Sequence, residues 1–256
     1  MRKNHIIGIT AFAALASLAL SCVKDPVAEN TTALPNGTVP GSFVEEFDTV
    51  ANLPAKGWVF RNNSYPIGST GWRQGRYEAS TGVQYKFLAP VPFYGFPAYS
   101  ASLSPNDFIS CDITTVNGNG GNISTWLISP ALPMRNGDQI VFYTRAVMDA
   151  DYSVFTKDRM QVWANFTDGS ANVGGDTTST GSFDRMLLDI NPTYANNDPG
   201  GYPQEWTKYT VTFNNIPGGV VTNGRFAFRY RGQSAGLMGP NYPSVVGIDS
   251  LAFINR

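Results

Sequence analysis

The chain has 256 residues, 18 basic against 19 acidic, with charged residues at 14% and aromatics at 13%. No block of either sign interrupts this balance, which makes nucleic acid and anionic membrane surfaces poor candidate partners, since both require clustered Lys or Arg. With 26 glycines and 17 prolines, the profile is that of an all-β extracellular domain rich in turns.

Residues 1–21 combine Arg2 and Lys3 with an apolar run from Ile6 to Leu20 that ends in Ser21-Cys22. The run is shorter than the roughly 20 residues needed to cross a bilayer, so it reads as a secretory signal. Leu18-Ala19-Leu20-Ser21-Cys22 resembles the lipobox of bacterial lipoproteins, although Ala19 stands where that pattern more often has leucine. The resemblance implies lipidation at Cys22 and an exported, outer-membrane-anchored lipoprotein on the cell surface or periplasmic face. Its membrane contact would be the anchor alone. An ordinary signal peptide that happens to precede a cysteine is the alternative. If Cys22 carries lipid, Cys111 has no disulfide partner and reads as a small buried apolar side chain. Loss of Arg2 and Lys3 leaves 16 basic residues against 19 acidic, a formal charge of −3.

The one histidine, His5, lies in the signal segment. The mature chain therefore lacks the imidazole needed for Ser-His-Asp or Cys-His catalysis and for the usual zinc sites. A glycosidase needs only two carboxylates, but no acid pair here is placed across an identifiable cleft. The chain reads as a binder and not as an enzyme.

Residues 22–42 hold three prolines and no periodic apolar pattern, which suits a flexible tether. Residues 43–256 are one domain's length with no second linker. From Phe43 the apolar period is two, with Phe43, Glu45 and Phe47 on one face. Residues 61–107 are irregular and aromatic. In the run Asn122–Leu132, Trp126 and Ile128 are expected on one face, Leu127 on the other, and Pro130 as the stop. Gln139–Arg145, Arg159–Phe166, Trp206–Phe213 and Arg225–Arg231 alternate, Val245–Ile254 reads as the closing strand, and long loops lie at 167–182 and 191–203. Short strands between polar loops predict a β-sandwich or barrel.

The order of FVEEFDTVANLPAKGW, STWLISPAL, RMQVWAN, EWTKYTVTF, RFAFRYRG and VVGIDSLAF resembles the cleaved-adhesin or choice-of-anchor J domain. That resemblance covers nearly all of residues 43–253. It implies a single jelly-roll β-sandwich of the galactose-binding-like kind, often with structural calcium, that serves adhesion or carbohydrate binding. The segments 61–107 and 167–203 depart from the shared framework.

Strand parity puts Glu45 with Phe43 and Phe47, and Asp249 with Leu251 and Phe253, on faces otherwise given to the core. Buried carboxylates need a partner. Terminal strands of a jelly roll commonly lie close, so Glu45 and Asp249 are candidate ligands of one structural Ca²⁺. Hydrogen bonds to backbone amides, or pairing with Arg225 or Arg229, would satisfy them equally. The acidic group Asp149-Ala150-Asp151 with Asp158 lacks the glycine and closing glutamate of an EF-hand and reads as a solvated loop.

Sugar rings present apolar C–H faces to Trp or Tyr while amides and carboxylates bond their hydroxyls. Trp72, Tyr94, Tyr194, Asn196, Asn197, Asp198 and Tyr202, in the long loops, are the candidate ligand-binding residues. Against a ligand role, Trp72 in Gly71-Trp72-Arg73-Gln74-Gly75 reads better as the core residue of its own short strand. The expected partner is a glycan or a surface protein. The second functional reading is a structural or protein-interaction subunit of a surface assembly with no glycan ligand.

Overall fold

The computed structural model describes residues 41–77, 95–100, 104–118, 120–147, 156–197, 200–235 and 240–256. These residues form two six-stranded antiparallel sheets packed face to face, a β-sandwich. The strands are β1 (Phe43–Glu45), β2 (Val59–Asn62), β3 (Arg73–Gln74), β4 (Ile109–Asp112), β5 (Gly121–Ile128) and β6 (Leu132–Arg135). They continue as β7 (Gln139–Ala146), β8 (Arg159–Asn165), β9 (Arg185–Ile190), β10 (Thr207–Thr212), β11 (Val220–Ala235) and β12 (Val245–Ile254). The first sheet runs β10-β7-β12-β4-β3 with β1 also on β12; the second runs β2-β5-β11-β8-β9 with β6 also on β11. The chain crosses repeatedly between the two, as in a jelly roll.

Alternation decides what the sandwich buries. Ile140 and Phe142 of β7, Met160, Val162 and Ala164 of β8, and Phe226, Phe228 and Tyr230 of β11 interleave between the sheets with Leu251 and Phe253 of β12. Phe226 and Phe228 stand edge-on at 6.0 Å, and Phe142 meets Phe228 edge-on at 4.9 Å. Two 3₁₀ turns at Val50–Asn52 and Pro54–Lys56 end on Gly57 at φ 88°, a left-handed conformation that favours glycine, and drop Trp58 against Phe47 and Phe226.

The run around Trp126 behaves as its pattern predicts at the strand level. β5 ends at Ile128, and Ser129-Pro130 breaks the strand before β6 resumes along the same edge of β11. The Ser129 hydroxyl carries the ladder across the break by accepting from Phe226 N–H at 3.0 Å. Cys111 is a free thiol buried in β4, and burial pushes it up.

Apolar residues also gather outside the sandwich. On the outer face of the second sheet, Trp126, Ile128 and Ala227 pack under Val173 and Phe183 of the segment between β8 and β9. On the outer face of the first, Phe96 and Phe108 pack with Val147, Val245 and Trp206. Gly247 makes this second contact feasible, since a Cβ there would lie 2.6 Å from Phe96.

Candidate functional site

Several residues that the sequence nominates are structural. Trp72 is buried in the inter-sheet core and donates from Nε1 to Thr125 O at 3.2 Å. Tyr202 is fully buried, its hydroxyl 2.6 Å from Thr144 Oγ1. Asn197 is buried as well, and its amide donates to Asp158 Oδ2 at 2.6 Å and Thr156 Oγ1 at 2.9 Å. Asn196 is exposed and Tyr194 nearly buried. Cys22, Tyr94, Asp198, Asp149 and Asp151 lie outside the described residues.

Asp158 is the opposite of a solvated loop acid. It is fully buried, and it accepts from Tyr230 Oη at 2.5 Å, Ser244 N–H at 2.9 Å, the Ser244 hydroxyl and the Asn197 amide. Burial raises its carboxyl against the pull of these donors. Its role is to tie β8 to the segments that precede β10 and β12.

Glu45 and Asp249 do not fit one shared cation. Glu45 pairs with Lys56 Nζ at 2.8 Å and accepts from Phe47 N–H at 3.2 Å. Its cross-strand partner is Leu251, a core residue, so Glu45 points to the inner side of the first sheet. Asp249 pairs across with Tyr143, on the face opposite Phe142, and accepts from Tyr99 N–H at 2.7 Å and Ser100 N–H at 3.0 Å. A bulge separates the two acids: Ser250 sits at φ 47°, the β7 register shifts there, and parity reverses. The acids therefore occupy opposite faces, each with its own donors. Among the described residues no group of three or more His, Cys, Asp or Glu is placed to hold a metal.

The outer face of β8 and β9 carries a hydrogen-bonded layer in which Gln161 is buried and Arg159, Trp163 and Asp189 are partly buried. Because Met160, Val162 and Ala164 face the core, Arg159, Gln161 and Trp163 face outward. Trp163 is half-buried. Its Nε1 donates to Gln161 Oε1 at 3.0 Å, and Gln161 Nε2 donates to Asp189 Oδ2 at 2.9 Å. Arg159 grips the same carboxylate through Nε at 2.9 Å and Nη2 at 2.6 Å. That charge-assisted fork holds the Arg159 guanidinium above its ordinary range. Opposite Trp163 on the edge strand is Met186, 50% exposed.

Loops bound this shelf at both ends. Tyr194 lies over Arg159, with the guanidinium carbon 5.1 Å from the ring centroid. Asn191 arranges this by donating to Asp158 O and Ala195 O at 2.8 Å while accepting from Ala195 N–H. Tyr194 itself is held at φ 53°, a conformation that costs a non-glycine residue about 1–2 kcal/mol. The covering segment 166–184 leaves β8 at the other end, seals Trp126 and runs back over β11 as far as Arg231. Thr177 O accepts from Arg229 Nη2 at 2.7 Å and also from Arg231 Nη1. Asn63 Nδ2 donates to Gly174 O at 2.9 Å. Asp176 Oδ1 caps the segment's turn, accepting from Thr178 and Ser179 N–H at 2.7 Å, and these bonds lower its carboxyl.

The shelf thus offers one partly exposed aromatic ring beside a carboxylate and a guanidinium, with the buried Gln161 amide bonded to both Trp163 and Asp189. From Arg159 to Trp163 it spans about 13 Å along the strand. Of the residues nominated from sequence only Tyr194 belongs to it. The alternation of Arg159, Gln161, Trp163 and Asn165 opposite an apolar face was the available signal. The contribution of Asp189 was hidden, because it depends on the β8–β9 register and its shift between Val162 and Trp163.

No family model and no curated protein matches the chain. Among solved structures it is similar to TmCBM61 in complex with beta-1,4-galactotriose at 8% identity and TM-score 0.35, over 82% of this chain and 99% of that one. It is similar to the K3 cleaved adhesin domain of Lys-gingipain from Porphyromonas gingivalis at 16% identity and TM-score 0.46, over 84% and 98% of the two chains. The K1 cleaved adhesin domain of the same protein aligns over the same shares at 19% identity and TM-score 0.46, and its family is the one that the sequence motifs resemble.

Proposed function

We propose that this chain is a binding module of the cell envelope that recognises glycans through the shelf on β8 and β9. The observation that carries this reading is the half-buried Trp163, locked by Gln161 and flanked by Asp189 and Arg159. An indole fixed in this way offers a sugar's C–H face a flat apolar surface at little entropic cost, and the adjacent donors and acceptors select hydroxyls. The loop residue Tyr194 borders this surface. A glycan array probed with the chain, wild type and Trp163→Ala, tests it. Binding that the variant loses is expected; binding retained in full by Trp163→Ala would move the site elsewhere.

Anchorage through Cys22 belongs to the same proposal. Labelling of the wild type, but not of Cys22→Ala, by a palmitate analogue in a Gram-negative host would support it.

The second reading, a protein-interaction subunit, has one observation of its own. Tyr65, Pro66 and Ile67 are all exposed, Tyr65 at 73% and Ile67 at 63%, yet their backbone is fixed by bonds to Asn122 and Asn117. A rigid apolar ledge of this kind suits a protein surface. Silence on the array together with capture of one envelope protein, lost on Tyr65→Ser, would favour it.

A further inference from the structure

On the outer face of the second sheet Arg159 and Arg231 are cross-strand partners, so their side chains stand next to each other. Arg229 follows two residues away on β11, its guanidinium carbon 4.6 Å from the centre of the Trp126 ring. Only Arg159 has a carboxylate in ion-pair contact, Asp189, and it occupies both oxygens of it. Among the described residues no carboxylate lies within ion-pair distance of Arg229 or Arg231. Their acceptors are neutral oxygens: Ser124 Oγ, Thr177 O and Ser179 O for Arg229, and Ile123 O and Thr177 O for Arg231.

Arg231 uses only Nη1 for these bonds. Its Nε and Nη2, the edge of the fork that takes a planar oxyanion in two parallel bonds, have no acceptor among the described residues. Local charge is unbalanced as well. Burial and the neighbouring Arg231 push the Arg229 guanidinium down to about 9, and Asp176 acts on it only at longer range, from the covering segment. Burial lowers Arg231 too, and Asp189 acts on it only from beyond ion-pair distance; cations held out of water without an ion-pair partner gain from a counter-charge. This excess stands out on a chain whose overall formal charge is −1.

We propose that the glycan recognised at the shelf carries an oxyanion, a uronate carboxylate or a sulfate ester, and that Arg231, beside Arg159 at the Tyr194 end, receives it. This rests on the shelf being a glycan site, and it narrows the ligand from sugars in general to acidic ones. Trp163 stacks a ring, Asp189 meets hydroxyls, and Arg231 selects the charge.

The test is an array of matched acidic and neutral glycans, with uronates beside their methyl esters and sulfated chains beside their desulfated forms, probed with the full chain. Titration of the best pair should show the acidic member bound at least roughly tenfold more tightly. The preference should shrink as NaCl rises from about 0.05 to about 0.5 M. Arg231→Gln should weaken the acidic ligand more than the neutral one, so that the ratio between them narrows towards one, and Trp163→Ala should weaken both. Equal binding of the two members, or a preference indifferent to salt, overturns the proposal and leaves the shelf intact. Silence across the whole array overturns the shelf itself. Because the wild-type comparison needs no variant, the result stands even if Arg231→Gln fails to fold.

Discussion

Two tryptophans on the outer face of the second sheet, 6.5 Å apart between ring centroids, are expected to respond in opposite ways to truncation. Trp126 is fully buried beneath Phe183 and Arg229, so Trp126→Ala should lower stability by roughly 3–5 kcal/mol in denaturant unfolding. Trp163→Ala removes a partly buried ring that packs on the edge of the same cluster and should cost less than Trp126→Ala, about 2 kcal/mol, while abolishing glycan binding. Asp249 gives a prediction of a different kind. Burial pushes its carboxyl up to about 7, against the pull of the amides of Ser100, Ser250 and Tyr99, and Glu46 adds to the rise. A carboxyl raised above its ordinary 3.8 binds a proton more tightly folded than unfolded. Its contribution is therefore greatest at low pH and is lost as pH climbs from about 4 to about 7, with a slope of at most about 1.4 kcal/mol per pH unit. Stability curves across that window should flatten in Asp249→Asn; a wild type and variant of equal slope would show that the carboxyl titrates normally.

The segment between β8 and β9 shows what the sequence could and could not reveal about elements. The core strands β7, β8, β10 and β11 were legible because each alternates between a buried apolar face and a more polar one, and β12 because it is a mostly apolar run buried nearly throughout. The site was less legible, because a Gly-, Ser- and Thr-rich stretch looks like a solvated loop until Val173 and Phe183 are seen packed on Trp126. Trp126 accordingly turned out buried on the outer side of its sheet, a location that parity alone does not distinguish from exposure. Parity also failed at β12, where no residue type announces that Ser250 will adopt φ 47° and turn Asp249 to the outer face. If the segment is a packed element, Phe183→Ala should cost roughly 3 kcal/mol or more and shift Trp126 fluorescence to longer wavelength. A loss near zero would mean that the segment merely rests on the sheet.

At the scale of the whole molecule, three apolar layers stack through the two sheets: the inter-sheet core and a smaller cluster outside each sheet. The chain's first and last strands close the first sheet, with Phe43 opposite Phe253 and Ser42 Oγ accepting from Asn255 N–H at 2.9 Å. Glu45 and Asp249 serve this closure from opposite sides. Glu45 fastens the turn that carries Lys56, and Asp249 holds Tyr99 and Ser100 onto the outer cluster, where Tyr99 stacks on Tyr143 at 3.8 Å. Groups with no shared partner contribute additively, whereas two ligands of one cation are strongly coupled, since loss of either disables the site. A double-mutant cycle of Glu45→Gln and Asp249→Asn, measured by denaturant unfolding in buffer with added calcium, should return an interaction energy within about 0.5 kcal/mol of zero. A coupling of about 1 kcal/mol or more that vanishes in EDTA would instead mean that the two carboxylates meet across the sheet through a bound ion.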